Sequence, residues 1–280
     1  MEANIENLYK HVAFLTSIYP YRNYKNIEGL QKAAAYIEAE IREIGLPTTL
    51  QQWEAKGNIY ENIIAQYQPQ KAKRFIMGVH FDVYKDSAGA DDNASSVAGL
   101  LEISRMLTTS ELELDYGIDF VFFCLEEPPF FKTDKMGSFI HANSIANNGK
   151  DYIGMIALEM IGYYREDKLA QKDDSIYKNQ LIVSGIKKYD AFNKKISQLL
   201  KANGRMDSRR LSFADDYLNN GPSDHRNYWT FHIPAVMVIV TGGHGNPHYH
   251  TETDTIETLD FEIMRDAVGS IGYALFNFSE

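Results

Sequence analysis

The chain has 280 residues, 44% apolar and 12% aromatic, a composition typical of a folded globular protein rather than a disordered one. The net charge of −10 disfavours nucleic acid as a partner, because phosphate binding needs basic patches. The single cysteine excludes an internal disulfide, and no apolar stretch reaches the roughly 18–20 residues that would span a membrane.

The chain shows no internal repeat, low-complexity tract or domain linker, and its length suffices for one large domain. We therefore predict a single domain over residues 1–280. The acidic and polar start, Met1 to Glu6, is unlike a secretory signal. It favours a cytoplasmic location for the chain as given, whereas a chain whose signal had been removed would be secreted or periplasmic.

Strands and helices alternate along the chain. The first predicted helix runs from Ile27 to Ile44, with apolar residues at the spacing of one helix face, and Gly45 ends it. Five short segments are predicted strands, four of them apolar on both sides as expected for burial on two faces: Asn62–Tyr67, Phe75–Val79, Phe120–Leu125, Tyr152–Ile161 and Pro234–Val240. Further helices are predicted over Ala94–Leu107, Ser138–Ala146, Tyr189–Leu200 and Phe261–Phe278.

This alternation predicts an α/β fold with three layers, in which helices cover both faces of a mostly parallel or mixed twisted sheet. Cys124 lies within a buried strand and is predicted to be a small core residue. Two stretches are irregular: Tyr164–Asn179 is predicted to be an exposed insertion, and Gly204–Gly221 a long loop.

Side chains that bind metals follow the predicted strands. They are His80, Asp92, Glu127, Glu159 and His250. Two imidazoles and three carboxylates are one short of two three-ligand sets, and one shared carboxylate removes the shortfall. The pattern predicts a pair of metal ions, the arrangement that activates water for hydrolysis. Catalytic groups of such sheets gather beyond the carboxyl ends of the strands, which supports a shared site.

Each position also has a plainer interpretation. Asp82 is a candidate partner for the ring of His80, although His-x-Asp is common at surfaces. Asp91 and Asp92 precede a helix and would suit its cap, so one of them caps while the other binds metal. Glu159 interrupts an apolar strand, where a charge needs either a metal or a salt bridge to a lysine or arginine.

Glu126 and Glu127 end an apolar strand just before Pro128-Pro129. Neighbouring strand residues point to opposite faces, but an irregular turn at the prolines would aim both into one pocket. Glu127 then suits a metal ligand and Glu126 a general base. Three histidines share the glycine-rich loop after the last strand, and we predict that one of them is a primary ligand while the others face solvent or substrate: His244, His248 and His250.

The order of these motifs resembles that of the co-catalytic zinc aminopeptidases, a family that also includes glutamate carboxypeptidases and glutaminyl cyclases. Supporting motifs are Met136-Gly137-Ser138, Ser223-Asp224-His225 and His250-Thr251-Glu252-Thr253-Asp254-Thr255. The resemblance implies a zinc exopeptidase fold and two zinc ions per chain. One ion would be held by His80 and Glu159, the other by Glu127 and His250, with Asp92 as the bridge.

The resemblance also implies an aminopeptidase that hydrolyses the N-terminal peptide bond of a peptide substrate through a water bridging the metals. Glu126 would be the general base, and Asp82 the carboxylate that orients the first histidine. Tyr249 would hydrogen-bond the oxygen of the tetrahedral intermediate, and Asp92-Asn93 would match a cis peptide bond. The motifs carry no information on the oligomeric state.

Two features depart from the family pattern. Glu159 stands where most family aminopeptidases have aspartate, and an insertion follows Glu126-Glu127 up to Met136. Phe130 and Phe131 of this insertion would either line an apolar pocket or simply pack.

Three alternatives remain open. A glutaminyl cyclase would use one zinc ion, and a non-catalytic binding domain would have lost ligands or the base. A carboxypeptidase would bind a substrate carboxylate through arginines, of which the chain offers Arg165, Arg205, Arg209, Arg210 and Arg226.

Overall fold

The computed structural model describes residues 2–165, 179–240 and 245–278. Eight strands of this part of the chain form one sheet: β1 (Thr48–Ala55), β2 (Asn58–Tyr67), β3 (Lys73–His80), β4 (Gly117–Phe123), β5 (Asp151–Glu159), β6 (Leu181–Ile186), β7 (Ser208–Phe213) and β8 (Ala235–Val240). The α-helices are α1 (Ile5–Thr16), α2 (Ile27–Ile44), α3 (Ser96–Ser110), α4 (Gly137–Ile145), α5 (Asp190–Ala202), α6 (His225–Thr230) and α7 (Phe261–Phe276).

The sheet is mixed, in the order β1-β2-β4-β3-β5-β8-β6-β7. Its centre, from β4 through β3 and β5 to β8, is parallel, and β6 pairs in parallel with β7. The hairpin β1-β2 joins β4 antiparallel, and β6 joins β8 antiparallel. The predicted fold class is confirmed. Because the central strands are parallel, their carboxyl ends meet at one edge of the sheet.

Helices cover both faces of this sheet. Helices α1, α2, α3, α5 and α7 pack together over one face, and α4 and α6 lie on the other. Every residue of β4 is buried, as are all but the first residue of β3, which confirms that these strands are covered on two sides. Cys124 is buried as predicted.

The caps of α2 illustrate why the helices begin and end where they do. The side chain of Asn26 accepts a hydrogen bond from Gly29 N–H at 3.2 Å and caps the start of α2. Gly45 ends the helix in the left-handed conformation at φ 91°, which suits a residue without a Cβ.

Several elements differ from prediction. Helices α1 and α6 and strands β1, β6 and β7 were not predicted, and the loop predicted over Gly204–Gly221 is wrong because β7 lies within it. β7 is an edge strand with two adjacent arginines, Arg209 half-buried and Arg210 exposed, so its apolar signal is weak. Most of the predicted insertion Tyr164–Asn179 lies outside the described residues. In the described ranges, no helix has the length and apolarity needed to cross a bilayer.

Candidate metal centre

The centre is built at the carboxyl ends of three adjacent parallel strands. His80 is the last residue of β3, Glu159 is the last of β5, and Glu126 and Glu127 follow β4. Asp92 comes from a wide π-type turn over residues 90–95 that leads into α3. The loop after β8 supplies His250. The structure brings all five predicted ligands together, although their role as ligands stays a prediction.

The first ligand set consists of His80, Asp92 and Glu159. His80 Nε2 lies 3.3 Å from Asp92 Oδ1 and 3.4 Å from Glu159 Oε2. All three side chains are buried, and their ligand atoms lie within 4.8 Å of one another. The ring is oriented from behind by a contact of 3.1 Å between His80 Nδ1 and the carbonyl oxygen of Asp82. That contact leaves Nε2 facing the carboxylates.

The second set consists of Asp92, Glu127 and His250. His250 Nε2 lies 3.1 Å from Asp92 Oδ2 and 3.2 Å from Glu127 Oε1. Asp92 therefore turns one oxygen toward each histidine, as a carboxylate shared by two ions would. The carboxyl group of Glu126 lies beside them, and its ligand atom is within 4.8 Å of those of His80 and Glu127.

The residues present fit a metal ion. Glu127 Oε1 is buried and accepts no hydrogen bond from the described residues, although His250 Nε2 is close. A buried carboxylate oxygen without a partner is costly, and a cation would remove that cost. Histidine nitrogens and carboxylate oxygens are ligands that zinc accepts, and three protein ligands per ion leave a position for water or substrate.

The turn after β4 aims both glutamates into the same cavity. Leu125 has a positive φ of 65°, and the peptide bond between Pro128 and Pro129 is cis. The chain thereby leaves the strand geometry in which neighbouring side chains alternate. Both Glu126 and Glu127 are buried. The arrangement predicted for this pair is the one observed.

The carboxylate of Asp82 was predicted to orient the ring of His80, but its hydrogen bonds go to the turn after β4. Its carboxylate accepts hydrogen bonds from the backbone N–H of Glu126 at 3.0 Å and of Glu127 at 3.1 Å. The same carboxylate lies 3.6 Å from His80 Nδ1, farther than the carbonyl oxygen of Asp82 itself. The backbone carbonyl thus orients the ring of His80, and the carboxylate fixes the two glutamates.

Asp91 and Asp92 have different roles, as the sequence suggested, but Asp91 does not cap α3. Its carboxylate accepts hydrogen bonds from the backbone N–H of Gly162 at 2.8 Å and of Tyr163 at 3.0 Å, and from Asn246 at 2.8 Å. It therefore ties the loops that follow β5 and β8 to the turn. The Asp92–Asn93 peptide bond is cis, as the resemblance implied.

Glu159 has no lysine or arginine partner among the ion pairs of the described residues. Its Oε2 faces His80, and its Oε1 accepts a short hydrogen bond from the hydroxyl of Ser223. The salt-bridge interpretation of this buried charge is therefore wrong for the part of the chain that the structure describes. One oxygen remains directed at the centre.

The acidic groups strongly shift one another's titration. Burial first, and then the charge of Glu127, raises the pKa of Glu126 well above its usual range. Burial and the charge of Asp92 raise the pKa of Glu127 to about 8. Burial also acts to raise the pKa of Asp92, but His250 and His80 outweigh it and hold that pKa below its usual value. Four carboxyl groups thus share a small buried volume with two histidines, and the raised pKa values mean that protons neutralise part of the carboxyl charge when no cation is bound.

Aromatic rings stack on His250. Its ring packs on that of Tyr249, with centroids 3.8 Å apart, and on that of Tyr84, 4.2 Å apart, both at angles near 20°. Tyr249 is partly exposed, and burial followed by the charges of Asp92 and Glu127 raises the pKa of its hydroxyl. Its hydroxyl therefore belongs to the same electrostatic environment as the ligands. Tyr84 was not predicted, because nothing in the sequence connects it to His250.

The remaining histidines of the loop differ in position. His248 Nδ1 lies 2.8 Å from the hydroxyl of Thr253, and His248 belongs to none of the ligand groups. His244 lies outside the described residues.

The sequence analysis also left Asp224 and Asp254 without a role. Asp224 is fully buried beside the centre, and neither of its oxygens accepts a hydrogen bond from the described residues.

The insertion and the arginines have defined contacts. Phe130 is buried and packs against Tyr24 and Tyr60, so it has a packing role. Arg205 pairs with Glu2 and Asp266, and Arg210 with Asp190, which engages two of the five arginines considered for binding a substrate carboxylate. Arg165 donates from Nη1 to the carbonyl oxygen of Gly245 at 2.8 Å.

Comparison with known proteins places this centre in a family. Residues 62–274 match Peptidase family M28. The chain belongs to peptidase family M28. The M28 chain is 35% identical to the uncharacterized protein YfbL of Escherichia coli K12, over 98% of this chain and 88% of that protein. The resemblance to zinc-dependent exopeptidases is confirmed at the level of the family.

Solved structures with the same fold include two kinds of enzyme. A leucine aminopeptidase precursor from Bacteroides thetaiotaomicron is 20% identical, with a TM-score of 0.79, over 100% of the M28 chain and 99% of that protein. A glutaminyl cyclase from the same organism is also 20% identical, with a TM-score of 0.80 over the same shares. Fold similarity therefore does not separate the two activities.

Proposed function

We propose that this M28 chain is a zinc-dependent aminopeptidase that hydrolyses the N-terminal peptide bond of peptides and binds two zinc ions. The observation that supports it is the position of Asp92, whose two oxygens face His80 and His250 separately. Two complete three-ligand sets that share one carboxylate suit a pair of ions. A cyclase with one zinc ion would need only one of the two sets.

Zinc bound in these sets would polarise the scissile carbonyl and lower the pKa of water. Glu126 is the residue placed to take a proton from the attacking water and deliver it to the departing amine. It is buried beside both Glu127 and His80 but belongs to neither of the two sets that share Asp92. Its raised pKa suits a group that must hold a proton between two transfers.

Two further features support cleavage at a free N-terminus. The buried carboxyl groups of Glu126 and Glu159 can accept hydrogen bonds from a substrate amine, whereas a substrate carboxylate beside them would be repelled as they ionise. Tyr249 stands at the solvent side of His250, where its hydroxyl would hydrogen-bond the oxygen of the tetrahedral intermediate. Asp82 keeps Glu126 and Glu127 in place through their backbone N–H groups.

The test measures hydrolysis of aminoacyl-nitroanilides together with bound zinc. Glu126→Gln should lower kcat by about 10²- to 10⁴-fold, the usual contribution of a general acid–base group, while the zinc content stays near that of the wild type. Glu54→Gln on the exposed face of β1 is the matched control and should leave both unchanged. Full activity of Glu126→Gln would show that the assigned mechanism is wrong.

A glutaminyl cyclase is the second candidate, because solved cyclases share this fold. Peptides that begin with glutamine separate the two functions, since cyclisation releases ammonia and leaves the peptide chain intact, whereas hydrolysis releases the free amino acid. Zinc near one per chain with ammonia release would favour the cyclase. Zinc near two per chain with amino-acid release would favour the aminopeptidase.

A further inference from the structure

An aspartate outside both ligand sets holds the backbone of the shared carboxylate. Asp254 accepts hydrogen bonds from the backbone N–H of Asp91 at 2.8 Å and of Asp92 at 3.1 Å, one with each oxygen. Asp254 is itself fully buried. Asp82 makes the same arrangement with the two successive N–H groups of residues 126–127. In both cases one carboxylate spans the backbone of a pair of acidic residues.

These two contacts connect the ligand sets to each other. Asp254 follows His250 by four residues in one loop, and it holds Asp92, which belongs to both sets. Asp82 follows His80 by two residues and holds Glu127 of the opposite set. Each histidine segment therefore carries an aspartate that fixes a carboxylate ligand from another part of the chain.

A buried arginine lies close to both aspartates. The guanidinium of Arg22 donates to four backbone carbonyls at 2.5–3.0 Å, namely those of Leu15, Phe81, Ala88 and Gly89. Burial lowers its pKa to about 10, and the charges of Asp254 and Asp82 are the two strongest opposing influences. The segment before Asp91 and the segment after His80 are thus fastened by the same cation.

We propose that Asp254 is a positioning residue of the metal centre, which fixes Asp92 so that one oxygen faces each histidine and thereby couples the loading of the two ligand sets. Because a single carboxylate serves both sets, rotation of Asp92 would weaken both at once. The two N–H groups held by Asp254 are those of Asp92 and its neighbour, so they determine the direction in which that side chain leaves the backbone. The inference rests on the proposed metal centre and not on the choice of substrate.

The test replaces Asp254 by asparagine. The amide would place an NH₂ donor against one of the two backbone N–H donors, so one hydrogen bond is lost. Zn²⁺ affinity, measured by competition with a chromophoric chelator, should fall by about 10- to 100-fold, the usual effect of removing a partner behind the ligands. The absorption spectrum of the Co²⁺-loaded variant should also change, because the ligand geometry around the ion is altered.

Asp260→Asn is the matched control. Asp260 accepts a backbone N–H from Ile263 at 3.0 Å and caps α7, and asparagine caps a helix equally well. This control should keep the wild-type Zn²⁺ affinity and Co²⁺ spectrum. Asp254→Glu keeps both oxygens but changes their reach, and it serves if Asp254→Asn does not fold. It should give a shifted Co²⁺ spectrum and an affinity between those of the wild type and Asp254→Asn.

Three results are decisive. An Asp254 variant with wild-type Zn²⁺ affinity and Co²⁺ spectrum overturns the proposal, even if its melting temperature falls. A weakened affinity with an altered spectrum supports it. A wild-type chain that binds no Zn²⁺ would instead overturn the proposed function, so the two failures are distinguishable.

Discussion

Buried charged groups are paired differently at the two ends of the same central strands. At the amino ends of β3 and β4, Arg74 is fully buried and pairs with Asp119 through two hydrogen bonds of 2.9 and 2.7 Å. Gln66 donates to Asp119 at 2.8 Å, and further N–H groups of the Arg74 guanidinium donate to backbone carbonyls. The protein balances this charge itself, and every charged partner is satisfied.

At the carboxyl ends of these strands the buried carboxyl groups outnumber the two histidines that face them. Asp92, Glu126, Glu127 and Glu159 are all buried within one small volume, and one glutamate oxygen accepts no hydrogen bond from the described residues. A fully paired buried charge contributes to a unique fold, whereas an excess of one sign creates affinity for an ion of the other sign. The difference indicates which end stabilises the molecule and which end performs chemistry.

The largest effect on stability is expected at the amino end. Asp119→Asn removes the charge that balances Arg74 and leaves an uncompensated buried guanidinium. We expect the free energy of unfolding to fall by about 3–5 kcal/mol, measured by urea denaturation. Zinc affinity per folded chain should not change. A loss below about 1 kcal/mol would show that the buried pair is not the stabilising feature described above.

The same kind of change at the carboxyl end should have the opposite sign in metal-free protein. Glu127→Gln removes a carboxyl group whose ionisation is opposed by burial and by Asp92, as its pKa of about 8 indicates, and we expect a gain of about 1–3 kcal/mol in chelator-treated protein. Saturating zinc should raise the melting temperature of the wild type more than that of Glu127→Gln, because the variant lacks one ligand. Destabilisation of the metal-free variant would contradict the assigned charge imbalance.

A smaller effect on stability is expected from His141, a buried histidine outside the candidate metal centre. It makes the free energy of unfolding depend on pH. Burial lowers the pKa of His141 to about 4, while the residue would titrate near 6.5 when unfolded. Between these values the unfolded chain binds more protons, so stability falls as the pH drops from about 6.5 toward 4. At pH 5 the loss attributable to His141 is about 2 kcal/mol.

His141→Gln tests this assignment, since it should flatten the pH dependence between pH 7 and 5 by that amount in urea denaturation. The ring contacts the hydroxyl of Tyr228 at 2.7 Å, so the variant will also lose some stability at pH 7. The slope with pH is therefore the informative quantity. His232→Gln, at an exposed position, is the control and should keep the wild-type slope.

The fold could be predicted where burial patterns are strong. Strands β3, β4, β5 and β8 are apolar on both sides, and helix α2 has one apolar face with residues suited to capping at both ends. The weaker elements lie at the edges. β1 contains Thr48, Gln51 and Gln52, and β7 contains Arg209 and Arg210; such polar edge strands are recognised only through their pairing.

The sequence predicted the residues of the candidate site, but not the contacts that hold those residues in position. Motif order alone identified the five candidate ligands and the adjacent candidate base. The sequence carried the motif that contains Asp254 without any indication that its carboxylate holds Asp92, a contact across 162 residues. The stacking of Tyr84 on His250 is likewise a contact between distant segments, which no local pattern encodes.

The amino-acid sequence by itself determined which chemical groups are available and where along each strand they stand, because residue type and hydrophobic periodicity are local properties. Only the tertiary structure decided that Asp92 turns one oxygen to each histidine, that Glu126 and Glu127 share one cavity, and that buried aspartates hold their backbones. Those features depend on the directions in which side chains leave separate segments. Directions are fixed by packing and hydrogen bonding between parts of the chain that are far apart in sequence.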